Sequence, residues 1–173
     1  MTSIPVRPTP DEYAPYYKTY VDKVFGENVL VLLKEEHDQF KTFLQGIPES
    51  KWDYRYAEGK WSIKEVIRHI NDAERVFAYR ALRIARNDQT AMPGFDQDDW
   101  MGEISGSSMS PEQVMDEYSS VRAASLSLLN SFDEEAWLRR GTASDYTFSA
   151  RALAYIIAGH EQHHIQILKE RYF

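Results

Sequence analysis

Residues 62–86 read SIKEVIRHINDAERVFAYRALRIAR, and their periodicity decides the fold. Apolar residues recur at Ile63, Val66, Ile70, Ala73, Phe77, Ala81 and Ile84, the three-and-four spacing of an amphipathic helix with one buried stripe. The stretch opens on Ser62-Ile63-Lys64-Glu65, a capping box in which the Ser and Glu side chains reciprocally satisfy free backbone N–H groups. These signals predict a helix running to about Arg86.

Similar punctuation recurs on both sides. Asn28 caps a helix to about Gln45, where Gly46 suits the position just past the end and Ile47-Pro48 stops any continuation. Ser110-Pro111-Glu112-Gln113 repeats the capping device, with proline where its missing N–H costs nothing, and opens a helix to about Asn130. A fourth helix begins near Thr147 to Ser149 and continues to about Arg171. No stretch alternates apolar and polar residues long enough to argue for a strand.

Four such helices in 173 residues predict an all-α chain, a four-helix bundle over residues 28–173. Residues 1–27, proline-rich to residue 15, read as an extended N-terminal arm packing on it. Residues 46–61 and 131–146 are medium links. The connection at 87–109, NDQTAMPGFDQDDWMGEISGSSM, is a long loop that can cross the bundle and let the second and third helices run parallel. Its Phe95 and Trp100 either line a pocket or pin the loop down.

Composition narrows the function. A formal net charge of −7 with no Lys/Arg run argues against a nucleic-acid partner held through phosphates. The chain has no cysteine, so any transition metal must be held by His, Asp or Glu. Its longest aliphatic run, VLVLL at 29–33, is far below a membrane span, and the N-terminal residues lack an apolar signal region. A cytoplasmic location follows as the expectation.

Three of the five histidines fall within GHEQHHIQILKERYF, residues 159–173. At about 100° per residue, His160 and His164 sit in the middle of the fourth helix's apolar stripe, while His163 lies toward its edge. Two imidazoles one turn apart are costly to bury unless each finds a partner. Spacing i, i+4 lets both rings converge on one ion; the other reading is a polar core layer in which each ring bonds a Tyr, carboxylate or carbonyl.

On the second helix His69 lies roughly 80° from the stripe's centre, at the margin of the core. Asp72, three residues on, is either a hydrogen-bonding partner that orients an imidazole or an exposed acid. Glu74 projects nearer the apolar centre and reads best as an arginine partner. On the first helix His37 is a fourth imidazole, a proton carrier or a satisfied core histidine.

The segments GKWSIKEVIRHINDAERVFAYRALRIARND, PGFDQDDW and AGHEQHHIQILKERY, taken in order, resemble the DinB/YfiT-like superfamily of metal-dependent enzymes. That resemblance covers most of residues 28–172. It implies a bundle running up-down-down-up, with a long crossover between helices 2 and 3. It also implies a divalent metal bound by one histidine of the second helix and two of the fourth, which fall here on His69, His160 and His164. A homodimer is implied as well.

Three neutral ligands leave a divalent ion its charge and an open position, which would acidify a water or hold a substrate thiol as thiolate. The implied activity is a metal-dependent hydrolase or a low-molecular-weight-thiol S-transferase acting on a small molecule. The rival is a non-catalytic metal-binding or stress-response module for protein interaction. Zinc, nickel, iron and copper all suit three imidazoles. Asp72, Glu74 and His37 are the candidates for a catalytic base, with Glu161 last among them because it lies about 100° from His160 around the helix; Arg86, Asp96 and Trp100 are the candidates for substrate contacts.

Overall fold

The computed structural model describes residues 6–26, 28–104 and 109–173. Residues 1–5 and 27 of the expected arm, and 105–108 of the expected loop, lie outside these. The helices are α1 (Lys18–Val21), α2 (Val29–Gln45), α3 (Ile63–Ala85), α4 (Gln97–Ile104), α5 (Pro111–Asn130), α6 (Glu134–Leu138) and α7 (Ala150–Arg171). Two strands complete the set, β1 (Arg140–Ala143) and β2 (Tyr146–Ser149).

The four long helices begin where their caps place them. Asn28 accepts from the N–H groups of Leu30 and Val31 at 3.0 and 3.1 Å. Ser62 and Ser110 close complete capping boxes with Glu65 and Gln113, and Ser149 accepts from Ala152 N–H. Each such cap contributes about 1 kcal/mol by satisfying donors the first helical turn leaves free. Gly46 ends α2 just past Gln45, with right-handed φ −82°. Its N–H closes a tighter bond on Phe43 O at 3.1 Å, and Ile47-Pro48 leads the chain away.

α3 packs chiefly on α7 and α5, and α2 packs on those same two helices. The consecutive helices α2 and α3 therefore lie mostly on opposite sides of the core. Two hydrophobic clusters fill it. One joins the arm, α6, the strands and the ends of α3 and α7 through Val21, Phe77, Phe148, Leu153 and Ile156. The other gathers Phe40, Trp52, Ile63, Ile67, Tyr118 and Leu168. Burying each such side chain contributes about 1.5–3 kcal/mol.

Three details differ from the sequence expectations. The chain is mostly helical, yet it contains an antiparallel hairpin in which Ala143 pairs with Tyr146 across Ser144 and Asp145. Both turn residues have positive φ, 48° and 65°, the tight two-residue turn that matches strand twist. Four-residue strands are too short to show an alternating pattern. Next, the segment at 10–21 is wound into two 3-10 turns and α1 rather than extended. Arg7 folds it back by donating to Val21 O at 2.7 Å, and Glu12 pairs with Arg151 on α7. Finally, the 87–109 connection carries α4, capped by Asp96, and Met92 bonds both Thr142 and Ser144 of the hairpin region at 3.0 Å.

Candidate metal centre

His69 comes from α3, and His160 and His164 come from successive turns of α7. His69 Nε2 lies 3.0 Å from His160 Nε2, and His164 Nε2 lies 3.2 Å from the same atom. The three donor atoms all fall within 4.8 Å of one another. One Nε2 carries either a proton or a lone pair, so His160 cannot give a full hydrogen bond to both neighbours. A cation accepts a lone pair from each. Two nitrogens about 2.0–2.1 Å from a tetrahedral zinc ion stand about 3.3 Å apart, close to the separations found here. The residues present therefore fit a divalent ion.

Electrostatics point the same way. Burial is the main cause holding the His69 imidazole down at about 4, with His163 adding repulsion. Desolvation, then the neighbouring imidazoles, push His160 and His164 well below the usual histidine range. All three rings are neutral at pH 7, the state in which they can donate to a metal.

The walls of the site come from both core clusters. Tyr20 and Phe77 stand edge-on to His160, with ring centroids 5.2 and 6.0 Å away. Trp61 packs against His69 at 4.9 Å, and its carbonyl accepts from Tyr172 Oη at 2.6 Å. That aromatic cover explains why His69 is only 4% exposed although its angle put it at the core margin. Tyr20 reaches His160 because α7 has no side chain at Gly159. A β-carbon there would lie 2.0 Å from Tyr20 O.

His164 opens onto a cavity of about 760 Å³. Its walls include Arg55, Tyr56, Lys60, Trp61 and Tyr172, together with Asp98, Met101 and Gly102 of α4. Arg55 is held by Glu65, whose carboxylate also accepts from Ser62 N–H at 2.6 Å. Thus the capping box of α3 also shapes the cavity wall.

The remaining sequence candidates stand elsewhere. Glu74 is engaged by Arg122, with Nη2 2.9 Å from its carboxylate. Asp72 pairs with Arg75 at 3.1 Å. His37 stacks on Tyr118 at 5.0 Å, and its buried Nδ1 has no hydrogen-bond partner among the described residues. None of these three makes a hydrogen bond or ring contact with the triad. Exposed Arg86 lies over the Phe132 ring, Asp96 caps α4, and Trp100, 41% exposed, stacks on Phe95. Arg86, Asp96 and Trp100 are not among the cavity's lining residues. Reading the connection as irregular hid the face of α4: Asp98, Met101 and Gly102 share it at i, i+3 and i+4 spacing. The signal available was Asp96 followed by Asp98 and Asp99, a cap with an acidic first turn.

Residues 32–168 match the DinB superfamily. The chain belongs to that superfamily. No curated protein sequence matches it significantly. Among solved structures, this DinB chain is similar to YfiT from Bacillus subtilis, described as a probable metal-dependent hydrolase with an unusual four-helix bundle topology. The TM-score is 0.71 at 15% identity, over 98% of this chain and 93% of YfiT. It is also similar to a mycothiol-dependent maleylpyruvate isomerase, with TM-score 0.66 at 13% identity over 88% of this chain. The match spans 62% of the isomerase. At these identities the likeness speaks for the fold, which this DinB protein shares with both.

Proposed function

We propose that this DinB protein binds one divalent transition-metal ion through Nε2 of His69, His160 and His164 and uses it on a small molecule. The reaction is hydrolysis or transfer of a low-molecular-weight thiol to an electrophile. The convergence of three neutral Nε2 atoms, two of them within 3.2 Å of His160, carries this reading. Held by three imidazoles, the ion would supply Lewis acidity at an open position, lowering the pKa of a water or thiol.

The chain's own residues do the rest. Tyr20, Phe77 and Trp61 exclude water from the rear of the imidazoles. Substrate enters on the His164 side, where Tyr56, Trp61 and Tyr172 pack an apolar body and Lys60 attracts an anionic group. Arg55, oriented by Glu65, faces the same space. The similarity to a probable metal-dependent hydrolase supports the first reaction, and the similarity to a mycothiol-dependent isomerase supports a low-molecular-weight thiol as a partner in the second. The same reading takes α3 and α5 as parallel across the connection that carries α4, giving an up-down-down-up bundle.

Metal analysis of protein purified without a nickel column tests the proposal. Wild type should carry about one ion per chain, and a folded His160→Ala/His164→Ala variant almost none. Equal, negligible metal in both would refute it. The loaded protein would then be screened with esters, amides and thiol-plus-electrophile pairs, where turnover must disappear in His69→Ala.

A further inference from the structure

Arg122 sits on α5, which carries none of the three histidines, yet its side chain is 1% exposed and bonds the other three long helices. Nε donates to Glu74 Oε1 at 3.0 Å and Nη2 to Glu74 Oε2 at 2.9 Å, a forked grip on α3. Nη2 also reaches Glu161 Oε2 on α7 at 2.7 Å, and Nη1 donates to Leu33 O on α2 at 2.8 Å. Tyr118 Oη gives Glu161 Oε2 a further bond at 2.9 Å. Glu161 directly follows His160 in sequence, and Glu74 lies just over one turn beyond His69. A single guanidinium is therefore fixed to both helices that supply the imidazoles.

We propose that Arg122 is a positioning residue for the metal centre: by clamping Glu74 to Glu161 it sets the register of α3 against α7, and with it the separation of His69 and His160. The proposal rests on the three-histidine reading of the site. Three considerations support it. A buried ion pair adds little net stability, because desolvation offsets the attraction, so a guanidinium and two carboxyl groups buried together need another reason to be there. Metal ligands tolerate displacements of only about 0.5 Å, and helices packed through apolar side chains alone do not guarantee that. A guanidinium fork fixes two carboxylates in direction as well as distance, which an ammonium cannot do.

The test compares wild type with Arg122→Lys and with the triple variant Glu74→Gln/Arg122→Met/Glu161→Gln, which leaves no unpaired buried charge. Leu129→Ala, fully buried on the same helix, is the control for a purely structural loss. Zinc affinity is read by competition with a chromogenic chelator, and site geometry by the visible spectrum of bound cobalt(II). Both clamp variants should bind zinc about 10–100-fold more weakly and shift the cobalt bands. Leu129→Ala should melt earlier and keep wild-type affinity and spectrum. Wild-type affinity in either folded clamp variant overturns the proposal, and Arg122→Lys decides alone if the triple variant does not fold.

Should wild type bind no divalent ion, the metal reading fails by itself. The clamp is then judged on metal-free protein by ¹⁵N imidazole spectra. The close His69–His160 Nε2 contact should persist in wild type and Leu129→Ala and be lost in Arg122→Lys. Its survival in Arg122→Lys would overturn the clamp.

Discussion

Gly159 lies directly against the backbone of Tyr20, so closely that a β-carbon at Gly159 would sit 2.0 Å from Tyr20 O and 2.4 Å from its carbonyl carbon. The contact places α1 across α7 one residue before His160 and brings the Tyr20 ring onto that imidazole. Replacing a mid-helix glycine by alanine ordinarily favours the helix by about 1 kcal/mol. Here the sign should reverse. Gly159→Ala is expected to destabilise the chain by about 3 kcal/mol, since backbone must move to admit the methyl group. Denaturant melts check this, and a stability equal to or above wild type would contradict the packing described.

Asp145 gives the opposite expectation. It holds φ +65° in the hairpin turn, a conformation that costs an L-residue energy and glycine almost none. Asp145→Gly should raise stability by about 0.5–1 kcal/mol, the relief of about 1–2 kcal/mol of left-handed strain less the entropic cost of about 0.5–1 kcal/mol that glycine brings. Neighbouring Ser144 also has positive φ, but its Oγ bonds Arg80 at 3.0 Å, so changing it confounds two effects. A lower Tm in Asp145→Gly would count against the turn.

The metal-free chain should lose stability on mild acidification. Burial depresses the three triad histidines, His69 to about 4, so between there and the ordinary 6.5 the unfolded chain binds more protons than the folded one. Their contribution is present above about pH 6.5 and lost as the pH falls, by about 3 kcal/mol for His69 alone. Glu36 acts in the other direction. Burial raises it to about 7, so its favourable contribution exists below about 4.5 and fades as the pH rises through 7. Thermal melts of chelator-treated protein from pH 4.5 to 7.5 should show Tm rising to about pH 6.5. Glu36→Gln should steepen that rise; a flat profile in both would refute it.

A fourth expectation concerns Trp61, whose ring covers His69 and whose carbonyl is held by Tyr172. Trp61→Ala exposes that imidazole to solvent. Its pKa should climb back toward 6.5, because desolvation is the main cause of its depression. Histidine titration by NMR on metal-free protein reads this directly, and an unchanged His69 would show that the indole does not shield it.

Much of this was legible in the residues. Ser62, Ser110 and Asn28 announced helix starts because capping is local chemistry, decided within four positions. His160 and His164 announced a shared face because both belong to one helix. His69 did not announce itself, since its burial depends on Trp61 and on α7, partners that its own helix does not specify. The hairpin stayed hidden because strands of four residues show no usable period, and α4 because a Gly/Asp/Ser-rich connection looked irregular. The partnership of Arg122 with Glu161 is a tertiary fact. A periodicity argument sees only one helix at a time.

The coordination shell of the bound metal tests the central claim most directly. X-ray absorption at the zinc K-edge, on untagged protein loaded with one equivalent of zinc, should show three imidazole nitrogens at about 2.0–2.1 Å, with their outer-ring scattering, and one exchangeable oxygen ligand. The imidazole scattering should fall in His69→Ala and in His160→Ala. A shell of oxygen ligands only, or an identical spectrum in those two folded variants, would contradict a metal centre built from His69, His160 and His164.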